Sequence, residues 1–261
     1  MTDAIDRTVA RLAEAYRTSR PIDPLELGFD AADAEHGYSV QERLIRAFEA
    51  AGRRQVGWKI GLTSAKALAL FGADEPMVGR LYADSRIEDG AMLDLSACCA
   101  PRVEGELLIE IGHLPDPGAT DAAVVAGIRS VRPAIEIADS RIAGWPRAVG
   151  HAIADNACCG RIVFPANGKP AGSIDFATIG MTMTEDGLPV TEGKGSDCMG
   201  NILNVYRWFA DRARRSGWQV QAGDLLLTGA MGRAVEPSAG RSYQVSLGTL
   251  GRLSLRTGTA S

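Results

Sequence analysis

An α+β fold is predicted by three features of this chain. Two amphipathic helical patterns occupy the first fifty residues, short apolar runs separated by glycine follow from Val56 onward, and helical spacing interrupts those runs only twice. Such an irregular alternation does not fit a regular βα barrel, and segregated helices and strands define the α+β class. The first helix is expected over 3–20, where Ile5, Val9, Leu12 and Tyr16 recur at helical spacing until Pro21 and Pro24 end the pattern. A second is expected over 31–51, with Tyr38, Leu44, Ile45 and Phe48 inward and the Gly52 region as its stop. Strands are predicted in VGWKIGLTS, RLYADSRI, GELLIEIG, PAIEIAD, RIVFP, ATIGMTMTE, GDLLLTG and YQVSLGTLGRLSLR. The two interrupting helices are placed near 120–131 (Val124, Ile128, Val131) and 199–215 (Ile202, Val205, Phe209, Ala213). Glu185-Asp186-Gly187 signals a turn, and the last forty residues read as an antiparallel meander. The expected division is a helical N-terminal portion over 1–72 and a strand-rich domain over 73–261, with no internal repeats.

Composition narrows the function classes. With 261 residues and 46% hydrophobic content the chain can bury a sizeable core. A net charge of -4 with scattered Lys and Arg leaves no basic footprint for nucleic acid. The opening MTDAIDRTVARLAEAYRTSR has early acids and no apolar core, so it reads as neither secretory signal nor membrane span, and a cytoplasmic location is expected. Cys98, Cys99, Cys158, Cys159 and Cys198 show no CxxC spacing, which predicts reduced, mostly buried thiols rather than a zinc ribbon or disulfide framework.

The chemistry is concentrated in three carboxylates. Glu104 and Glu106 in PRVEGELLIEIG share one strand face, because side chains alternate and Gly105, Leu107, Ile109 and Ile111 take the other. Glu136 in VRPAIEIAD belongs to a second apolar strand. Three acids gathered in one interior space repel one another and need a neutralising partner, and a hard dication, Mg2+ or Mn2+, satisfies that need. Glu110 is read as a solvent-facing acid. Without histidine near the acids, zinc is disfavoured.

Other candidates are single residues. Lys59, between Trp58 and Ile60, would be a partly desolvated ammonium able to anchor a substrate or donate a proton. Asp84 closes GRLYAD, and Asp155 sits beside Asn156 in IADNACCG, where either acid can reach a cleft or simply form a turn. GKGSDCMGN precedes a helix and offers Lys194 and backbone N–H groups to a carboxylate; its spacing is not that of a phosphate loop. In GDLLLTGAMG, Thr228, Gly229 and Gly232 can line a pocket. His36, His113 and His151 pair with no nucleophile motif, so a triad hydrolase lacks support.

Taken in order, VGWKIGLTS, MVGRLYAD, PRVEGE, PAIEIADSRI, ADNACCG and GDLLLTGAMG resemble the 2-keto-4-pentenoate hydratase family of the fumarylacetoacetase-type superfamily over nearly the whole chain. The resemblance implies a mixed β roll with flanking helices, a homo-oligomer, and bacterial breakdown of aromatic compounds by hydration of a 2-hydroxydienoate to a 4-hydroxy-2-oxo acid. It implies that Glu104, Glu106 and Glu136 bind Mg2+ or Mn2+ and that Lys59 and Asp84 lie at the substrate. Lys59 and Asp84 are the candidates for the proton transfers, with Asp155 supporting them, because acid-base work needs groups whose pKa the site can tune. Two departures stand out: Cys158 where many relatives carry serine, and Gly105 where alanine is usual. Cys158 therefore becomes a candidate substrate contact with a weaker hydrogen-bonding group. Decarboxylation of a 2-oxo-3-hexenedioate is the near rival. Acylpyruvate hydrolysis ranks lower because no histidine lies between Val56 and Glu110. A noncatalytic small-acid-binding oligomer is the alternative from a different class.

Overall fold

The computed structural model describes residues 2–259. In chain order it contains α1 (Thr2–Thr18), α2 (Ala34–Ala50), β1 (Gln55–Gly61), α3 (Ala65–Phe71), β2 (Met77–Tyr82), β3 (Arg86–Ile87), β4 (Met92–Asp94), β5 (Pro101–Ile111), α4 (Asp121–Ala126) and β6 (Ile128–Asp139). There follow α5 (Val149–Ala154), β7 (Arg161–Val163), β8 (Gly180–Glu185), β9 (Leu188–Lys194), α6 (Ile202–Ser216), β10 (Leu225–Leu227), β11 (Ser242–Leu247) and β12 (Gly251–Gly258). Among the described residues the strands form two mixed sheets, ordered β2-β1-β10-β5-β6-β7-β3 and β4-β12-β11-β8-β9. This is the predicted α+β class.

The long antiparallel pair β5 and β6 is the spine of the molecule, in register from Pro101 opposite Asp139 to Ile111 opposite Ile128. One face of it is apolar. Val103, Leu107, Ile109, Ile135 and Ile137 pack there against Met181, Met183, Val245 and Leu247 of the second sheet, all buried. Each fully buried aliphatic side chain contributes roughly 1.5–3 kcal/mol relative to exposure, so this interface fixes which residues of the spine face inward. Gly105 lies on the same face, where a Cβ would sit 2.7 Å from Met181 Sδ and 3.1 Å from Val245 Cγ1. The missing side chain is replaced by the methionine of the facing sheet. The opposite face of the spine carries Arg102, Glu104, Glu106 and Leu108, by strand alternation.

The N-terminal helices behave as predicted amphipathic elements. Leu12 of α1 and Val40, Leu44 and Phe48 of α2 pack with Tyr82, Ile142 and Ala154. Helix α2 starts at Ala34 because Asp33 caps it, accepting a hydrogen bond from the His36 N–H. Strand β1 inserts between β2 and β10, so the large sheet joins both sides of position 72.

Four expectations are corrected. The helix expected to reach 131 stops at Ala126: Gly127 closes it through bonds to Ala123 and Val124 carbonyls, and β-branched Ile128 and Val131 begin β6. The last forty residues are not a single meander, since β10 leaves for the large sheet, between β1 and β5, and β11 and β12 pair as an antiparallel hairpin in the other sheet. Two short helices went unpredicted. Helix α3 carries its own punctuation, Ser64 as N-cap and Gly72 in the left-handed conformation at its end; α5 is short and buried along its whole length, so it has no amphipathic signature.

Candidate metal centre and active-site cavity

Strand register assembles the acids. Glu104 stands directly opposite Glu136, and Glu106 opposite the small Ala134, so neighbouring rungs of one face hold three carboxylates with room between them. Ligand oxygens of Glu104, Glu106 and Glu136 all lie within 4.8 Å of one another. Glu106 and Glu136 are each 1% exposed, while Glu104 is half-buried. Burial first, then the charges of Glu136 and Glu104, pushes the Glu106 carboxyl well above its ordinary value. Burial and the charge of Glu136 raise Glu104 to about 7. The cluster resists full ionisation on its own.

Two fixed contacts orient it. Glu106 Oε2 accepts a hydrogen bond of 2.8 Å from the Gly229 N–H, in the loop that follows β10. Lys59 Nζ, on β1, donates to Glu136 Oε1 at 2.5 Å and to the Ala157 carbonyl at 2.9 Å. Burial alone would lower the Lys59 ammonium, but the charge of Glu136, with smaller help from Glu104 and Glu106, outweighs it and holds the group above its ordinary value. Among the described residues Glu136 Oε2 is buried without a hydrogen-bond partner. Fully ionised, three carboxylates against one ammonium would carry two excess negative charges in an all-oxygen donor set, a state that needs a cation to form. That fits a hard divalent cation in charge, donor type and the orphaned oxygen.

The Ala157 carbonyl reaches Lys59 because the chain there is left-handed. Asn156, Ala157 and Cys158 have φ of 50°, 53° and 56°, a conformation costing non-glycine residues roughly 1–2 kcal/mol each. Asn156 holds it in place: its Oδ1 accepts from Arg80 N at 2.7 Å and its Nδ2 donates to Arg80 O at 3.0 Å. The approach also requires Gly79 on β2, where a Cβ would lie 2.5 Å from the Asn156 carbonyl.

A cavity of about 520 Å³ opens over the cluster. Its floor is polar, formed by Lys59, Arg102, Glu104, Glu106 and Glu136. The rest of the lining sets apolar Leu62, Leu70, Phe71, Met77, Trp145 and Cys158 beside charged Lys66, Glu192, Asp197 and Arg233. Burial pushes the Cys158 thiol well up, which keeps it neutral.

The remaining predicted residues are distributed unevenly. Cys158 lines the cavity beside the acids and Lys59. Asp84 is not brought to them: its carboxylate is paired with Arg53 at 2.8 and 3.0 Å, is 54% exposed, and borders a different cavity of about 450 Å³. The physical reason is that Asp84 lies past the end of β2, where the chain turns toward Arg53. Asp155 is wholly buried and stays out of the cavity lining, accepting from Arg141 N and Arg141 Nε at 2.8 Å each. It braces the turn that presents Ala157. Lys194 is exposed, and its backbone N–H, rather than its ammonium, is bonded, to Asp197. Thr228 is buried with its hydroxyl donating to the Leu107 carbonyl at 3.0 Å, so it joins β10 to β5 instead of facing the cavity. Glu110 is not solvent-facing: at 16% side-chain exposure it pairs with Arg132 and accepts from Ser130. Sequence reasoning missed Arg102 and Trp145; the first was legible as the residue two before Glu104 on one strand face, while the second sits in a loop without signal.

No protein-family model matches the chain. The 2-keto-4-pentenoate hydratase 2 of Dechloromonas aromatica (strain RCB) is 37% identical to it over 252 residues, 96% of each protein. Among solved structures, the 4-oxalocrotonate decarboxylase from Pseudomonas putida G7 complexed with magnesium and adipate matches with a TM-score of 0.92 and 27% identity over 98% of both chains. The fumarylacetoacetate hydrolase from psychrophilic Exiguobacterium antarcticum matches with a TM-score of 0.59 and 15% identity, over 80% of this chain and 76% of that one, a likeness of fold alone.

Proposed function

The chain belongs to the 2-keto-4-pentenoate hydratase family, and from that premise we propose that it adds water to a 2-hydroxypenta-2,4-dienoate-type substrate, giving a 4-hydroxy-2-oxo acid, with Glu104, Glu106 and Glu136 holding Mg2+ or Mn2+. The observation that carries this reading is the inward-facing trio of carboxylates, oxygen donors within 4.8 Å of one another, lining a cavity that also offers apolar side chains. Bound there, a divalent cation supplies Lewis acidity to the substrate's carboxylate and C2 oxygen. The magnesium of the decarboxylase structure supports that choice of ion.

The protein's own groups account for the rest. Lys59 spends two of its three N–H donors on Glu136 and Ala157, which leaves one for the substrate. Its ammonium is held charged beside the acids, so it is the group placed to pass a proton as the 2-hydroxyl gives up its proton to become the C2 ketone and a proton arrives at C5. Water then adds across the resulting α,β-unsaturated ketone, hydroxyl to C4 and proton to C3. The apolar side chains of the lining take the hydrocarbon tail and Cys158 borders it. Asp155 and Asn156 act by holding the turn, and Asp84, paired with Arg53, has no part in these steps.

Aromatic-compound catabolism, a cytoplasmic location and a homo-oligomeric state complete the reading; among the described residues no helix is long and apolar enough to cross a membrane. The decarboxylase likeness favours one competing reaction, loss of carbon dioxide from a 2-oxo-3-hexenedioate. The test follows the ultraviolet absorbance of 2-hydroxypenta-2,4-dienoate with purified protein and Mg2+, with product mass. Loss of absorbance and gain of one water are expected; an unchanged dienoate beside carbon dioxide release from the dicarboxylate would replace hydration with decarboxylation.

A further inference from the structure

Arg102 lines the cavity beside the acids, and the reaction above gives it no role. Its guanidinium lies over the Trp145 ring, 3.9 Å from the centroid, and both line the cavity that holds the acid cluster. Among the described residues no hydrogen bond or ion pair engages its side chain, unlike buried Arg141, whose bonds go to Asp155, Tyr16 and Cys159. Register places it well. Arg102 stands opposite Ala138, one rung from the Glu104–Glu136 pair, about 7 Å along the strand by the ordinary rise per residue. The small Ala138 also lines the cavity, leaving the face of that rung to the arginine.

The platform beneath it is built at a cost. Trp145 has a φ of 64°, an unfavourable backbone for so bulky a side chain, and persists because neighbours hold it. Its indole Nε1 donates to the Ala100 carbonyl at 3.1 Å, and the Ala100 N–H is in turn bonded to Asp139 Oδ1 at 2.7 Å. The segment leading into Arg102 and the ring under it are therefore tied together. A guanidinium held over an aromatic ring keeps its N–H fork for a planar carboxylate, which an ammonium cannot match.

We propose that Arg102, stacked on Trp145, is the receptor for the C1 carboxylate of the substrate, fixing the acid end one rung from the metal-holding glutamates while the tail lies on Leu62, Phe71 and Met77. The proposal rests on the reading of the cavity as a 2-oxo acid site. It makes Arg102 a substrate-binding residue and Trp145 a positioning residue for it. The favoured ligand is a monocarboxylic 2-oxo acid, because Leu62, Leu70, Phe71 and Met77 offer its tail an apolar surface in the cavity lining.

The test is calorimetric binding of 2-oxopentanoate and 2-oxoadipate to Mg2+-loaded protein, with Mg2+ affinity and the unfolding midpoint measured for every variant. Arg102→Met is expected to weaken 2-oxopentanoate at least tenfold with Mg2+ affinity changed less than threefold. Arg102→Lys recovers little of this, and Trp145→Leu weakens binding severalfold. If folded Arg102→Met and Arg102→Lys proteins both bind 2-oxopentanoate as the wild type does, the assignment is overturned. Should their losses be confined to 2-oxoadipate, the guanidinium serves a tail carboxylate and the C1 assignment is likewise overturned. A wild-type protein that binds Mg2+ but neither oxo acid defeats the cavity reading itself, a distinguishable failure.

Discussion

Asn156 shows how much of this site depends on one side chain that touches none of the acids. Its amide bonds both backbone groups of Arg80 and so holds three successive residues left-handed, delivering the Ala157 carbonyl to Lys59. Asn156→Ala removes both bonds and should cost roughly 2–3 kcal/mol of stability, two buried hydrogen bonds plus the lost αL preference. Turnover should fall by more than stability explains, so folded variant assayed well below its unfolding midpoint should show at least tenfold lower kcat. Glu106→Gln acts differently. It removes one negative charge from the donor set while keeping a group that accepts from the Gly229 N–H, and should weaken Mg2+ on the order of 100-fold, read by metal titration. Unaltered Mg2+ binding in that variant would remove Glu106 from the metal centre. The cluster was readable in sequence at this scale because strand alternation alone places 104 and 106 together; the partners of Asp84 and Thr228 were not, since Arg53 and the Leu107 carbonyl approach them through tertiary packing.

Among elements, the β5–β6 spine and the sheet packed on it decide the site's position. Met181 of β8 occupies the space a side chain at 105 would fill. Gly105→Ala should therefore destabilise by about 1–2 kcal/mol through overpacking, although alanine suits a strand better than glycine. Met181→Val shortens the intruding side chain, and the double variant should be more stable than the sum of the single effects, by at least about 0.5 kcal/mol in a denaturant double-mutant cycle. Strict additivity would mean the two residues do not compete for that space. Element identity was legible wherever periodicity was long, as in α1, α2, α6 and β5. It failed at 128–131, where the same apolar positions satisfy a helix or a strand and the Gly127 turn chooses between them.

For the molecule as a whole, stability should track metal and pH through separate groups. A dication bound by the folded state alone should raise the unfolding midpoint, with about 2.7 kcal/mol gained at a concentration one hundred times Kd. Glu110, outside the cluster, sets part of the acid limit. Burial by itself would raise its carboxyl, but hydrogen bonds from Ser130, Arg132 and Arg129 together with the Arg132 charge leave it below its ordinary 4.5. The unfolded chain then takes up its proton first as pH falls, so this stabilisation is complete above about 4.5 and is lost as pH drops through the lower folded value. Glu110→Gln should cost about 1–2 kcal/mol near neutrality and nothing in strong acid, which urea unfolding across pH 3–7 checks.

What the sequence by itself determined is local and periodic: the α+β class, the amphipathic helices, and a shared face for Glu104 and Glu106, because side-chain direction repeats every two residues in a strand and every 3.6 in a helix. Tertiary structure alone decided the rest. Register brought Glu136 opposite Glu104, a left-handed turn brought Ala157 to Lys59, and a strained loop brought Trp145 under Arg102. Those contacts join residues distant in the chain. They are set by which apolar faces bury together and by where the freed polar groups must then find partners, and neither is written in any one segment.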